Sequence, residues 1–223
     1  MSLLDVRNGY RLWAPTYARE TAVSDLEDRI VTALSPAPAG LRLLDAGCGI
    51  GRRLHESKAA LAVGVDLSPE MLDAGQESRN DAVRTLVGDV RALPLPDRSF
   101  DLVWCRLVLG HLPDCAPAYA ELARVADSGA TVIVTDFHPA AHEAGHRRTF
   151  RADGVVHELE HHVHTLERHQ AAAAAAGLEL VEVREGKIGS EIRDHFVRAD
   201  RIELYTRQVG LPIVLALAFR RPD

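Results

Sequence analysis

Leu43-Leu44-Asp45-Ala46-Gly47-Cys48-Gly49-Ile50-Gly51-Arg52-Arg53 runs from apolar residues into an acid and then through three alternate glycines. The apolar run ending at Asp45 reads as a buried strand, and the glycines let the backbone turn sharply and approach a ligand where a Cβ would clash. The spacing Gly-x-Gly-x-Gly departs from the Gly-x-Gly-x-x-Gly of dinucleotide folds, where a helix N-terminus receives a pyrophosphate. An acid just before the glycines repels a pyrophosphate and suits a ligand carrying a cation or an amino group.

Outward from this cradle the pattern repeats. Leu61-Ala62-Val63-Gly64-Val65-Asp66-Leu67-Ser68 is a second apolar run ending in an acid, about twenty residues on, the spacing expected of a carboxylate that grips ribose hydroxyls. Leu86-Val87-Gly88-Asp89-Val90 ends in the same way, and Phe100–Arg106 follows a proline-rich turn. Any one such acid is equally well a solvated strand end or a helix cap. Three at successive strand ends, the first followed by glycines, point to a nucleotide-like cofactor beyond the carboxyl ends of the strands.

Helical stretches at Arg52–Ala60, Pro69–Arg79 and Ala116–Ala126 alternate with these strands and with Ala130–Asp136, the pattern of a doubly wound α/β fold. With Leu178–Val183 and Ile213–Phe219 the sheet reaches seven strands, mostly parallel. The chain divides into a helical lead-in over residues 1–40, a cofactor-binding half over 41–137, an inserted β-hairpin over 138–165 and a C-terminal half over 166–223, all within one domain. In the lead-in, Tyr10, Trp13 and Tyr17 stand at helical spacing around Pro15, and Ser24 is a candidate N-cap for Asp25–Leu34. The hairpin reads from Arg148–Arg151 and Val155–Val163 around Ala152-Asp153-Gly154. Leu166–Ala176 is an alanine-rich helix closed by Gly177, and Glu191–Tyr205 is a polar, lid-like helical segment.

The order LLDAGCGIG, VGVDLSPEML and VGDVRALPLPDRSFDLVWCRLVLGHL, in register from Leu41 to Phe137, closely resembles the class I S-adenosylmethionine-dependent methyltransferases. The likeness is to the small-molecule branch related to quinone-biosynthesis enzymes. It implies a Rossmann-like fold, S-adenosylmethionine as cofactor, and a last strand antiparallel beside the sixth. It also implies that Gly47, Cys48 and Gly49 bring backbone against the methionine and ribose portions, with Gly51 a further cofactor-binding position, while Asp45 meets the amino group directly or through water. Asp66 then takes both ribose hydroxyls, Leu67 and Met71 sandwich the adenine, and Asp89 takes its exocyclic amine beside the Val90 N–H. Trp13-Ala14-Pro15-Thr16-Tyr17 resembles a family motif whose tyrosine folds over the methionine end, and the cofactor carboxylate falls to Arg52 or Arg106.

The stretch His138–Thr165 carries most of the histidines. His157-Glu158-Leu159-Glu160-His161 matches a zinc-protease phrase that needs both histidines on one helix face. Here it lies in strand-like alternation, which sets the two roughly 13 Å apart, too far to share a metal; no metal site is assigned. Histidines near the transferred methyl are instead candidate bases, since histidine titrates near neutral pH. His111 past the fourth strand, His138 past the fifth, and His162 and His164 on one hairpin face are the candidates.

The chain has 223 residues and a net charge of −6 with no basic stripe, which argues against nucleic acid and for a small-molecule acceptor. No apolar run reaches the eighteen or so residues of a membrane helix, there is no leader pattern, and three cysteines without paired spacing suit the cytoplasm. The expected activity is methyl transfer to O or C of a small acceptor. Two other readings stand beside it: a non-catalytic S-adenosylmethionine-binding protein, and a metal hydrolase built on the histidine-rich insertion.

Overall fold

The computed structural model describes residues 2–17, 21–76 and 82–223. The chain opens with β1 (Ser2–Leu4), α1 (Val6–Trp13), a 3₁₀ turn at Ala14–Thr16 and α2 (Ala22–Leu34). Strands and helices then alternate through β2 (Arg42–Ala46), α3 (Arg52–Glu56), β3 (Leu61–Asp66), α4 (Pro69–Ala74), β4 (Val83–Val87), β5 (Phe100–Arg106), α5 (Ala116–Val125) and β6 (Ala126–Phe137). There follow α6 (Pro139–Glu143), β7 (Thr149–Ala152), β8 (Val155–Leu159), α7 (Leu166–Ala175), β9 (Glu179–Lys187), α8 (Arg193–Arg198), α9 (Ile202–Gln208) and β10 (Pro212–Arg220).

The main sheet has seven strands in the order β4-β3-β2-β5-β6-β10-β9. The first five are parallel, and β10 runs antiparallel to both β6 and β9. Central strands covered on both faces read as unbroken apolar runs, and successive side chains feed opposite faces. Leu44 and Val103 enter the core on the side of α5, with Tyr119 and Leu122, whereas Leu43 and Leu102 enter the other, with Val31 and Leu54. The chain order reverses between β2 and β5, and the crevice beyond their carboxyl ends is where such sheets bind ligands.

Several boundaries differ from the sequence reading for identifiable reasons. Helix α2 starts earlier because Thr21, not Ser24, is the N-cap; Ser24 returns the bond to the Thr21 N–H as the third helical residue of a capping box. Helix α3 stops at Glu56 and α4 at Ala74, while residues 77–79 of the expected Pro69–Arg79 helix lie outside the described residues. The polar segment after β9 forms two short helices, α8 and α9.

The hairpin is present, with Asp153 and Gly154 both at positive φ (49° and 77°), as a tight turn between twisted strands requires. Two features of it were not anticipated. The chain start expected to be helical includes β1, which pairs in parallel with β8 and makes a three-stranded sheet, β1-β8-β7. The second hairpin strand ends at Leu159 rather than Val163: the Glu160 N–H makes the last bond to β1, at the Leu4 carbonyl (2.8 Å), and the His162 N–H then leaves the sheet for the Gly110 carbonyl (2.7 Å). Helix α1 lies on this sheet through Trp13, whose ring stacks on Phe150 at 4.9 Å. The lead-in and the insertion thus form one lid over the crevice.

Among the described residues no helix is long and apolar enough to cross a membrane.

Candidate active site

A cleft of about 500 Å³ opens between the carboxyl edge of the parallel strands and the lid. That volume suits a ligand of drug or cofactor size. Its floor is the glycine cradle. Gly47 adopts φ +84°, in the left-handed region, and a Cβ there would run into the Val108 side chain, so neither the conformation nor the space admits another residue. A Cβ on Gly49 would stand 3.2 Å from the Met71 methyl. Gly47, Cys48 and Gly49 all line the cleft; Gly51 does not, and serves instead to turn the chain into α3 at φ +74°.

Asp66, at the end of β3, is fixed by the backbone. Its Oδ2 accepts from the Gly49 N–H (2.7 Å) and its Oδ1 from the Ser68 N–H (2.9 Å). Each oxygen keeps a lone pair for a ligand hydroxyl. Burial raises its pKa, and these N–H groups work against the rise. Leu67 and Met71 flank it in the wall, the first half-exposed and the second buried. Asp89 and Val90 line the same wall after β4, and Arg91 pairs with the Asp89 carboxylate (2.6 Å). Tyr17 closes the cleft from the lid, edge-on to Trp13 at 5.0 Å.

Asp45 departs from expectation. Its side chain is fully buried, does not line the cleft, and neither oxygen has a hydrogen-bond partner. Direct contact with a ligand in the cleft is therefore closed to it. Burial pushes its pKa up to about 6, against the pull of Arg53 and Arg106.

Arg106 also departs. Its guanidinium is consumed by Glu27 (2.8 and 2.6 Å) and by Asp28, so it is not available to a cofactor carboxylate. Glu27 is wholly buried and takes Arg53 (3.0 Å) and the Thr135 hydroxyl (2.7 Å) as well. Burial opposes ionisation of Glu27, yet Arg53 and Arg106 outweigh it and hold the carboxyl down at about 2. This knot ties α2 to β5, β6 and α3 behind the cradle. Arg52 lines the cleft and reaches Asp28 at 2.9 Å.

Of the four histidines expected near the transferred group, the cleft holds His111 alone. His138 caps α6, its Nδ1 accepting from the Ala140 N–H at 3.1 Å, with Nε2 turned to Glu185. His164 is buried and its Nε2 donates to the Leu109 and Leu112 carbonyls (3.2 and 3.0 Å), which makes it a pin for the loop after β5. His162 points to Glu160 at 3.8 Å, outside the cleft. The assignments of His138, His162 and His164 as bases are corrected accordingly; strand-end topology placed the first near the crevice and a shared hairpin face the other two, but a helix cap, the Glu160 carboxylate and loop carbonyls claimed their rings.

His111 sits in a chain of polar groups that sequence reading did not foresee. Arg148 Nη2 donates to the Tyr10 hydroxyl (2.8 Å), which lies 2.9 Å from His111 Nε2. His111 Nδ1 faces the Glu160 carbonyl at 3.4 Å, an acceptor only, so Nδ1 carries the proton and Nε2 accepts from Tyr10. Burial, aided by the Arg148 charge, pushes the His111 pKa well below its usual range. Its imidazole is neutral at physiological pH. Tyr10 carried a signal, its helical spacing with Trp13 and Tyr17; Arg148, just ahead of β7, carried none.

His157 belongs to β8, bonded to Ser2 (2.8 Å) and stacked on Phe150, while His161 lies past the strand end, edge-on to His111 at 6.0 Å. Among the described residues no group of three or more His, Cys, Asp or Glu is arranged to hold a metal ion.

Residues 44–134 match the family model described as a methyltransferase domain. The chain is 34% identical over 173 residues to the 27-O-demethylrifamycin SV methyltransferase of Amycolatopsis mediterranei, covering 72% of this chain and 61% of that one. It is 31% identical over 193 residues to the malonyl-[acyl-carrier protein] O-methyltransferase of Dechloromonas aromatica, covering 81% and 68%. It spans less than two-thirds of the rifamycin enzyme, and about a third to a little over half of several other curated relatives. In fold it matches the crystal structure of an S-adenosylmethionine-dependent methyltransferase from Mesorhizobium loti, with a TM-score of 0.68, 24% identity, 90% of this chain and 100% of that one. A likeness that runs through most of two chains, and not through the cradle alone, shows that this chain belongs to the class I S-adenosylmethionine-dependent methyltransferases.

Proposed function

We propose that this chain transfers a methyl group from S-adenosylmethionine to a small organic acceptor, at oxygen or at a carbon nucleophile. The observation that carries the reading is the convergence of Asp66, Met71, Asp89 and Val90 with the glycine cradle around one cleft. When bound, the cofactor supplies an electrophilic methyl on a sulfonium, open to in-line displacement. Asp66 accepts hydrogen bonds from both ribose hydroxyls with the lone pairs its backbone donors leave over. Leu67 and Met71 bracket the adenine, Asp89 and the Val90 N–H take its polar edge, and Gly47, Cys48 and Gly49 lie against the methionine and ribose. Tyr17 covers the methionine end and Arg52 takes its carboxylate. The relatives' names, a methyltransferase for 27-O-demethylrifamycin SV and an O-methyltransferase for malonyl-[acyl-carrier protein], support the same chemistry.

The enzyme's share in such a displacement is alignment and exclusion of water, with a base where the acceptor arrives protonated. His111 is that base. It is neutral, it lines the cleft with Tyr10, and the Glu160 carbonyl keeps its proton on Nδ1, so it acts through Tyr10: the hydroxyl takes the acceptor's proton as it passes its own to Nε2. Cys48, Cys105 and Cys115, all buried as thiols, support a reducing compartment such as the cytoplasm.

Incubation with methyl-labelled S-adenosylmethionine and a metabolite extract tests the reading: a labelled small molecule is expected. Tight cofactor binding without any labelled product would favour a binding protein and refute the transferase.

A further inference from the structure

Arg148 sits in the wall of the cleft beside Tyr10 and His111. Of its five N–H donors, one has an acceptor among the described residues, the Tyr10 hydroxyl. Its Nε is closed from solvent and donates to nothing. Among the described residues no carboxylate pairs with it: neighbouring Arg147 has Glu158 at 3.9 Å, and the Glu160 side chain turns to His162 at 3.8 Å. A half-buried guanidinium with one donor shut from solvent and no counter-charge is costly to hold, and an anion that meets it offsets that cost. The donors left over are fork-shaped and match a carboxylate in bidentate fashion, which a lone hydroxylate cannot use. The walls around it are aromatic, with Trp13 edge-on to Tyr17 and stacked at 5.8 Å on Tyr10, whose ring the guanidinium approaches at 6.0 Å.

We propose that the acceptor is a planar carboxylic acid, held by Arg148 through its carboxylate and by the aromatic walls, with its nucleophilic atom turned toward His111. The inference rests on the methyltransferase reading and adds the acceptor's class to it. Arg148 is a specificity residue here. Its guanidinium pairs with the acid, and through Tyr10 it fixes the ring that takes the acceptor's proton.

The test is calorimetric titration of protein saturated with S-adenosylhomocysteine, using benzoate, 4-hydroxybenzoate and phenylacetate, each against its neutral amide. At least one acid is expected to bind tenfold or more tighter than its amide to the unmodified chain. In Arg148→Gln that preference is expected to vanish, with S-adenosylhomocysteine affinity kept within twofold and the thermal transition retained. Equal binding of acids and amides, or no binding of any, overturns the proposal. A tenfold loss of S-adenosylhomocysteine affinity in Arg148→Gln also overturns it, since Arg148 then serves the cofactor's carboxylate. Failure of the unmodified chain to bind S-adenosylhomocysteine at all is a separate outcome that removes the methyltransferase reading and this inference with it.

Discussion

Asp45→Asn isolates the cost of a single buried charge. Both Asp45 oxygens are shut from solvent without a partner, and burial carries the carboxyl pKa from its ordinary 3.8 to about 6. The folded chain therefore holds this proton through a pH range in which the unfolded chain has released it, and stability falls as pH rises across that range. The term is fully favourable below pH 3.8 and exhausted above about 6. At 1.36 kcal/mol for each pH unit between the two, the ionised carboxylate costs the folded state about 3 kcal/mol. Asparagine has nearly the shape of the protonated acid and does not titrate. Urea denaturation of the ligand-free chain and the variant between pH 4 and pH 8 reads the difference. The variant is expected to gain on the parent by about 2–3 kcal/mol as pH rises from 4 to 7, with no further gain above. Two stability curves that stay parallel over that span would refute the reasoning, because they would mean that Asp45 is solvated or paired when the chain is folded.

Other consequences follow from the same site. Glu27→Gln takes from the buried Arg106 guanidinium one of its two carboxylates, leaving Asp28, and is expected to lower stability by about 1.5–3 kcal/mol in denaturant titrations. Because the folded Glu27 pKa lies at about 2, below its ordinary 4.5, its contribution is complete above pH 4.5 and fades as pH falls toward 2, the opposite sign to Asp45. Asp66→Ala removes two charge-assisted hydrogen bonds to ribose and is expected to weaken S-adenosylhomocysteine binding by about tenfold or more in calorimetry, with the thermal transition retained. His111→Ala is expected to lower kcat by about a hundredfold or more with cofactor affinity unchanged. In the parent enzyme the kcat/KM profile is expected to show no acid limb near 6.5, since the ring is already neutral there; a limb at that pH would contradict the His111 assignment.

The glycine and strand-end residues that gather at the cleft were legible because each stretch that carries them is local. The glycines, the strand that carries Asp45 and the acid at the end of β3 stand in contiguous phrases, where hydropathy and turn chemistry speak directly. What the sequence hid is long-range. Arg106 and Glu27 are far apart in the chain, and only the packing of α2 against β5 reveals that the arginine is already taken. Three residues at Ser2–Leu4 are too few to show a strand pattern, so β1 and the sheet it completes could emerge only from the fold. His138 and His164 illustrate the same limit. Their positions past strands and in the insertion were read correctly, but a backbone N–H and two carbonyls decide where the rings point. Arg148 reaches the cleft because the hairpin folds back over it, a placement no spacing announces.

The central claim is that the carboxylate at the end of β3 and the glycine cradle hold an adenosyl group in the cleft beneath the lid. A crystal structure of the chain with S-adenosylhomocysteine tests it most directly. The ribose hydroxyls are expected within hydrogen-bond reach of both Asp66 oxygens, with the adenine between Leu67 and Met71 and the sulfur facing His111. A ligand bound elsewhere, or one whose ribose leaves Asp66 unengaged, would contradict the account.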